Sequence, residues 1–222
     1  MSPSWSLPLA LALLAAGCAR DTPPAEPPQG APQEPARPAP QRGEPIPFDA
    51  ARAWADLERT VGLGPRHPGS PALAELVDLL EAELQVLGLQ TRREVFESEV
   101  PVTASTPEGR LTYTNLIADL PATDPEAPMV LVGGHIDTKL MGADFVGAND
   151  GGSSTAVLLE LARGLAAGGP RSVSWRIAFF DGEEAVRTDW VGTDNTYGSR
   201  RHAIELCKRG EDRKVGAVVI VD

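Results

Sequence analysis

Residues 129–137 read Met-Val-Leu-Val-Gly-Gly-His-Ile-Asp, and residues 173–184 read Val-Ser-Trp-Arg-Ile-Ala-Phe-Phe-Asp-Gly-Glu-Glu. Each is a short apolar run that stops abruptly in polar side chains able to do chemistry. An apolar run of this length, bounded by turn residues, suits a strand buried on both faces. Between the two, Ser153–Ala167 (SSTAVLLELARGLAA) spaces its apolar residues as a helix and ends at Gly168-Gly169. Gly198–Arg209 reads as a further helix, and Val215–Val221 (VGAVVIV) as a third buried strand running into Asp222. Buried strands separated by helices predict an α/β fold, a largely parallel central sheet with helices on both faces.

Upstream, Phe48–Val61 has the apolar spacing of a helix. The segment GLGPRHPGSPA then interrupts it with three prolines and three glycines. A second helix starts at Ser70-Pro71 and stops at Gly88. Two strands follow, Gln90–Phe96 and Leu111–Leu120, with a turn at Pro107–Gly109. No internal repeat is present.

The first 18 residues, MSPSWSLPLALALLAAGC, have the form of an export signal. The apolar run Leu7–Ala16 is too short to span a bilayer and ends in small residues. Cys18 directly after Ala-Ala-Gly resembles the cleavage and acylation site of bacterial lipoproteins. Ala15 stands where leucine is usual and the leader carries no Lys or Arg, so an ordinary cleaved signal is the alternative. Residues 19–47 form a linker, and 10 of the chain's 21 prolines lie within 21–47. Such a stretch cannot bury apolar surface and is expected to be extended and solvated. The expected plan is a lipid anchor at Cys18, a spacer, and one domain over 48–222, exported and held at a membrane of the cell envelope or in the periplasm. With Cys18 lipidated or removed, Cys207 has no partner for an internal disulfide.

Hydrophobic residues make up 42% of the chain and charged ones 23%, enough apolar material for a sizeable core. The formal charge of −11 has the wrong sign for a phosphate backbone, so a nucleic-acid partner is excluded.

In open α/β sheets the ligand crevice lies beyond the carboxyl ends of the strands. Three strands here deliver His135, Glu183-Glu184 and Asp222 to one such rim. Asp150 joins them from Asn149-Asp150-Gly151-Gly152, a turn whose glycines let backbone approach and leave helix-start amides facing the site. Taken singly, a Glu-Glu pair is an ordinary surface feature, a histidine after a strand a loop residue, and Asp150 a helix cap. Taken together, one imidazole and several carboxylates suit a divalent cation, zinc above all. Of the Glu-Glu pair, one carboxylate can bind metal while its neighbour serves as general base. Asp137, two residues after His135, is placed to orient the imidazole.

The segments GGHIDTK, FVGANDGGSSTAVLLELAR, FFDGEEA and VVIVD resemble the successive motifs of the zinc exopeptidase superfamily, and GPRHPGS at 64–70 resembles its N-terminal region, so the likeness runs from about residue 48 to the end. Its relevant branches are two-zinc aminopeptidases and single-zinc glutaminyl cyclases. The resemblance implies His135, Asp150, Glu184 and Asp222 as aminopeptidase metal ligands and Glu183 as general base. Lys139, Phe145-Val146-Gly147-Ala148, Trp190 and the run Asp194–Arg200 are more similar to the cyclase branch. That branch implies one zinc on Asp150 and Glu184, Trp190 lining the pocket for an N-terminal glutamine, and Asp222 assisting proton transfer. The expected substrate is then the N-terminus of a peptide or protein, cyclised to pyroglutamate with loss of ammonia. Hydrolytic removal of N-terminal residues is the alternative. Both branches use a further histidine supplied well after the Asp222 position. Neither His67 nor His202 matches it, so the sequence is expected to be a C-terminally truncated piece. A metal-poor binding protein of the same fold is the third reading.

Overall fold

The computed structural model describes residues 45–142 and 144–222. The expected signal at 1–18, the lipidation site Cys18 and most of the 19–47 linker lie outside the described residues. In chain order the elements are α1 (Ala50–Gly62), α2 (Pro71–Val86), β1 (Gln90–Glu99), β2 (Arg110–Leu120), β3 (Met129–His135), α3 (Ser153–Ala167), β4 (Ser174–Phe180), α4 (Tyr197–Arg209) and β5 (Val215–Ile220). None of the helices among the described residues is long and apolar enough to cross a membrane.

The sheet order is β1-β2-β4-β3-β5. The apolar strands β4, β3 and β5 are parallel, with His135 level with Phe180 and Gly133 level with Ile220. The hairpin β1–β2 adds two antiparallel strands through β2–β4 pairing. This hairpin is the antiparallel share of the sheet, and its outer strand β1 alternates between buried and exposed positions, as a strand with one wetter face does.

Helix α2 and helix α3 cover one face. Leu76, Leu80 and Leu84 of α2 and Leu158, Leu159 and Ala162 of α3 pack on Leu116, Ala118, Val132, Ile177 and Phe179. On the other face, Leu206 of α4 packs over Ile117, Leu131, Ala178 and Phe180. Tyr113, Phe96 and Tyr197 extend that layer as stacked rings.

Local chemistry sets the helix ends. Helix α1 begins at Ala50 rather than Phe48 because the Asp49 carboxylate accepts the N–H groups of Ala51 and Arg52, both at 3.0 Å. Ser70 caps α2 through Leu73 N–H with Pro71 in the first turn, as its sequence predicts. Strand β5 stands at one edge of the sheet formed by the described residues, with Val218, Val219 and Ile220 about half-exposed.

Candidate active site

The strand order puts β3 between β4 and β5, and this alone makes His135 the centre of the rim. Glu183-Glu184 follow β4 on one side, and Asp222 follows β5 on the other. The strands can close this tightly because Gly134 has no side chain. A Cβ there would stand 2.5 Å from the Val221 carbonyl and 2.9 Å from Ser154. Ser154 in turn donates to the His135 carbonyl at 2.7 Å, pinning the start of α3 to the end of β3.

Asp150 sits in the kinked turn Ala148–Gly152, where it and Gly151 depart from helical geometry. Gly151 adopts φ +81°, and a Cβ on it would meet the Asp137 carbonyl at 2.5 Å and the His135 ring at 3.2 Å. Asp150 makes no cap on α3, which has no side-chain cap. Its carboxylate is free for the site, and Oδ1 lies 3.1 Å from His135 Nε2. Asp222 Oδ1 approaches the same nitrogen at 3.4 Å. One ligand atom from each of His135, Asp150 and Asp222 lies within 4.8 Å of the others.

Glu184 stands outside that trio, turned toward Lys139, whose ammonium lies 3.8 Å away and donates to the Ala185 carbonyl at 2.8 Å. Asp137 faces the imidazole, as the sequence suggests, and also serves the Glu-Glu turn. Its Oδ1 is 3.5 Å from His135 Nδ1, too long for a good hydrogen bond. Its two oxygens accept the backbone N–H groups of Glu183 at 3.0 Å and Glu184 at 3.2 Å, holding the Glu-Glu turn against β3.

Burial raises the Glu183 carboxyl to about 7, with the charges of Asp137, Glu184 and Asp222 adding to it against His135. Glu184 is also raised, by burial and then by Asp150 and Asp137. Burial alone would lower His135, yet Asp137, Glu183 and Asp150 outweigh it and lift the imidazole to about 9. Both ring nitrogens are buried without a hydrogen-bond partner. A field that favours positive charge, beside an unpartnered imidazole and two carboxylates, fits a divalent cation, and this donor set suits zinc.

Trp190 is half-exposed and lines an open cleft of about 380 Å³ with Lys139, Met141, Asp150, Glu183, Glu184, Thr188 and Asp222. Its loop is held by Asp194, which accepts from Val186 N–H and Arg187 N–H at 3.0 Å and from the Tyr197 hydroxyl at 2.8 Å. The other histidines lie elsewhere. His202 is buried against Glu94 at 2.9 Å, and His67 Nδ1 lies 3.2 Å from the Pro68 carbonyl.

Residues 115–222 match the family model described as peptidase family M28. A glutaminyl cyclase from an Acidobacteriales bacterium superposes with a TM-score of 0.71 at 30% identity, over 84% of this chain and 62% of that one. A Zn-dependent exopeptidase from Parabacteroides distasonis does so with a TM-score of 0.63 at 25% identity, over 80% and 63% of the two chains. The chain belongs to the zinc exopeptidase superfamily. Within it, a glutaminyl-peptide cyclotransferase-like protein from Bos taurus is 36% identical over 166 residues, 70% of this chain and 41% of the relative. The chain thus spans about two fifths of the length of that relative. Three residues that organise this zinc exopeptidase rim were not singled out in the sequence. Arg66 is wholly buried behind it, Asn115 accepts Asp181 N–H at 3.1 Å, and Asp181 is itself buried and raised by burial and by Asp137. A buried arginine and a buried asparagine carry no periodic signal, so only contacts reveal them.

Proposed function

We propose that the chain carries the active-site rim of a glutaminyl-peptide cyclotransferase, acting on N-terminal glutamine of peptides or proteins. The observation that carries the reading is the cleft in which Trp190 and Lys139 stand together with Asp150, Glu183, Glu184 and Asp222. The relatives' names and the Trp190-lined cleft support it.

In this reaction the substrate's α-nitrogen forms a bond to its own γ-carbonyl carbon, and the bond from that carbon to the amide nitrogen breaks. Glu183 takes the proton released by the attacking amine and hands it to the departing ammonia, work suited to a group poised near the operating pH. Trp190 offers a flat apolar wall to the glutamine side chain, and Asp222 accepts a hydrogen bond from the reacting nitrogen. The nucleophile is tethered to its target, so holding the side chain folded back supplies much of the acceleration. Asp150 and Glu184 would hold one zinc, which when bound supplies Lewis-acid polarisation of the carbonyl.

The closeness of His135 to both Asp150 and Asp222 favours a second reading, a two-zinc aminopeptidase in which Glu183 deprotonates the attacking water. A glutamine-led peptide incubated with the zinc-supplied protein separates them. Ammonia with a cyclised peptide is expected, free amino acid supports hydrolysis, and neither product overturns both. The leader and proline-rich segment support an exported, lipid-anchored protein, tested by whether Cys18→Ser abolishes metabolic fatty-acid labelling.

A further inference from the structure

The segment LGPRHPGS between α1 and α2 contributes no group to the rim described above, yet it contains a buried residue of an unusual kind. Arg66 has no exposed surface. A guanidinium in that position is ordinarily matched by a carboxylate, but no ion pair to Arg66 is formed among the described residues, and its partners are all carbonyls. Nε donates to the Ile136 carbonyl at 3.2 Å. Nη1 reaches the carbonyls of Val146 at 2.8 Å and of Thr60 and Gly64 at 3.3 Å, and Nη2 reaches Gly147 at 3.2 Å.

These carbonyls fall in three groups. Ile136 directly follows His135, Val146 and Gly147 lead directly into the Asp150 turn, and Thr60 and Gly64 lie in and just after the last turn of α1. A second latch runs through the backbone. Arg66 N–H donates to Thr138 Oγ1 at 2.9 Å, and Thr138 N–H donates to the Arg66 carbonyl at 3.2 Å. The joined segments have no slack, because a Cβ on Gly147 would lie 2.5 Å from the Asp150 carbonyl and 2.6 Å from Thr138 Cγ2. Gly147 O also accepts Gly152 N–H at 3.0 Å, which closes the turn that aims Asp150.

We propose that Arg66 is a positioning residue whose planar guanidinium fixes the Asp150 turn against the end of β3, and with it the affinity of the rim for zinc. This rests on reading the rim as a metal site. The geometry requires arginine. A five-donor fork can bridge carbonyls on two segments at once, whereas a lysine ammonium is a compact point donor on a flexible stem. Burial lowers the Arg66 guanidinium to about 10, with Asp137 opposing, so it stays charged at neutral pH.

The test compares the parent chain with Arg66→Lys and Thr138→Val, using zinc alone as the probe. Zinc affinity is read by competition with a chromophoric chelator, and the zinc-induced rise in Tm by thermal melting. The expected result is a 10–100-fold weakening for Arg66→Lys, the scale reported for groups that orient metal ligands. Thr138→Val, which opens the second latch without touching the buried charge, should weaken zinc in the same direction but less. Both should show a smaller zinc-induced rise in Tm. A purely structural role would lower Tm equally with and without zinc, leave chelator competition unchanged, and overturn the proposal. If Arg66→Lys does not fold, unchanged zinc affinity in Thr138→Val is the overturning result. A parent chain that binds no zinc sinks the metal reading itself, a different failure from a parent that binds and variants that bind equally.

Discussion

Two acid-rich regions of this molecule use the same residue types to opposite ends. Between α1, α2 and α3, the acids Asp56, Glu83 and Glu160 are matched by three arginines. Arg163 bridges all three acids, Arg52 grips Glu160 with two bonds of 2.7 Å, and Arg59 spans Asp56 and Glu83. The Arg52 hydrogen bond leads in holding Glu160 down at about 2, against burial and with help from Asp49 N–H and Arg163. At the rim, Asp137, Asp150, Glu183, Glu184 and Asp222 face one lysine and one histidine, and Glu183 and Glu184 are raised. Matched acids tie elements together. Unmatched acids crowded on one histidine destabilise the bare fold, and the cation that would relieve them comes from outside the chain.

The largest expected effect tests the unmatched side. Glu183→Gln should lower kcat on a glutamine-led peptide by about 10²–10⁴-fold, the usual contribution of a general base. Zinc affinity should hardly move. A rim acid should also cost stability when ionised. The folded Glu183 keeps its proton to about 7, whereas an unfolded glutamate releases it near about 4.3. Stability contributed by the protonated form is therefore lost as pH rises through 7. Thermal melts of zinc-free protein at pH 8 should show Glu183→Gln at least as stable as the parent, and a marked loss would break the contrast.

Next in size is the cross-comparison of Asp222→Asn with Glu160→Gln. Asp222 is largely exposed and tied to nothing but the rim, so its loss should lower kcat on a glutamine-led peptide and leave the zinc-free Tm almost unchanged, whereas a loss of zinc affinity of about 10–100-fold would favour the two-zinc reading. Glu160 has no exposed side-chain surface and receives Arg52, Arg163 and Asp49 N–H. Its replacement should cost about 2–3 kcal/mol, the scale of buried charge-assisted hydrogen bonds left unmade, without touching zinc. Its pH signature runs opposite to that of Glu183. With its folded pKa depressed, Glu160 stabilises fully above about 4.3, and that stability fades as pH falls toward 2. Acid unfolding of Glu160→Gln should lack this part of the transition.

Both regions were unequally legible in the sequence. The rim could be read because each ligand follows an apolar strand or its turn, so strand periodicity alone carried His135, Glu183-Glu184 and Asp222 to one edge. What that reading missed is direction. It gave Asp137 only to the imidazole, whereas the carboxylate also holds the Glu-Glu turn, and it read GPRHPGS without a role for Arg66. The arginine clamp was not legible at all. Asp56, Glu83 and Glu160 lie on three helices, and only the packing of those helices makes Arg163 their common partner.

The smallest effect sets the scale for the rest. Arg59 belongs to the clamp by contact, donating to Asp56 at 3.1 Å and to Glu83, but its side chain is 44% exposed. Water already solvates much of that guanidinium, and Asp56 and Glu83 keep Arg163 when Arg59 is gone. Arg59→Gln should therefore cost no more than about 0.5–1 kcal/mol, the range for exposed pairs, and the loss should shrink further in high salt. A loss as large as that of Glu160→Gln, insensitive to salt, would mean that the clamp acts as a single network in which exposure is irrelevant. The distinction between matched and unmatched acids would then rest on cooperativity rather than on the pairing of individual charges.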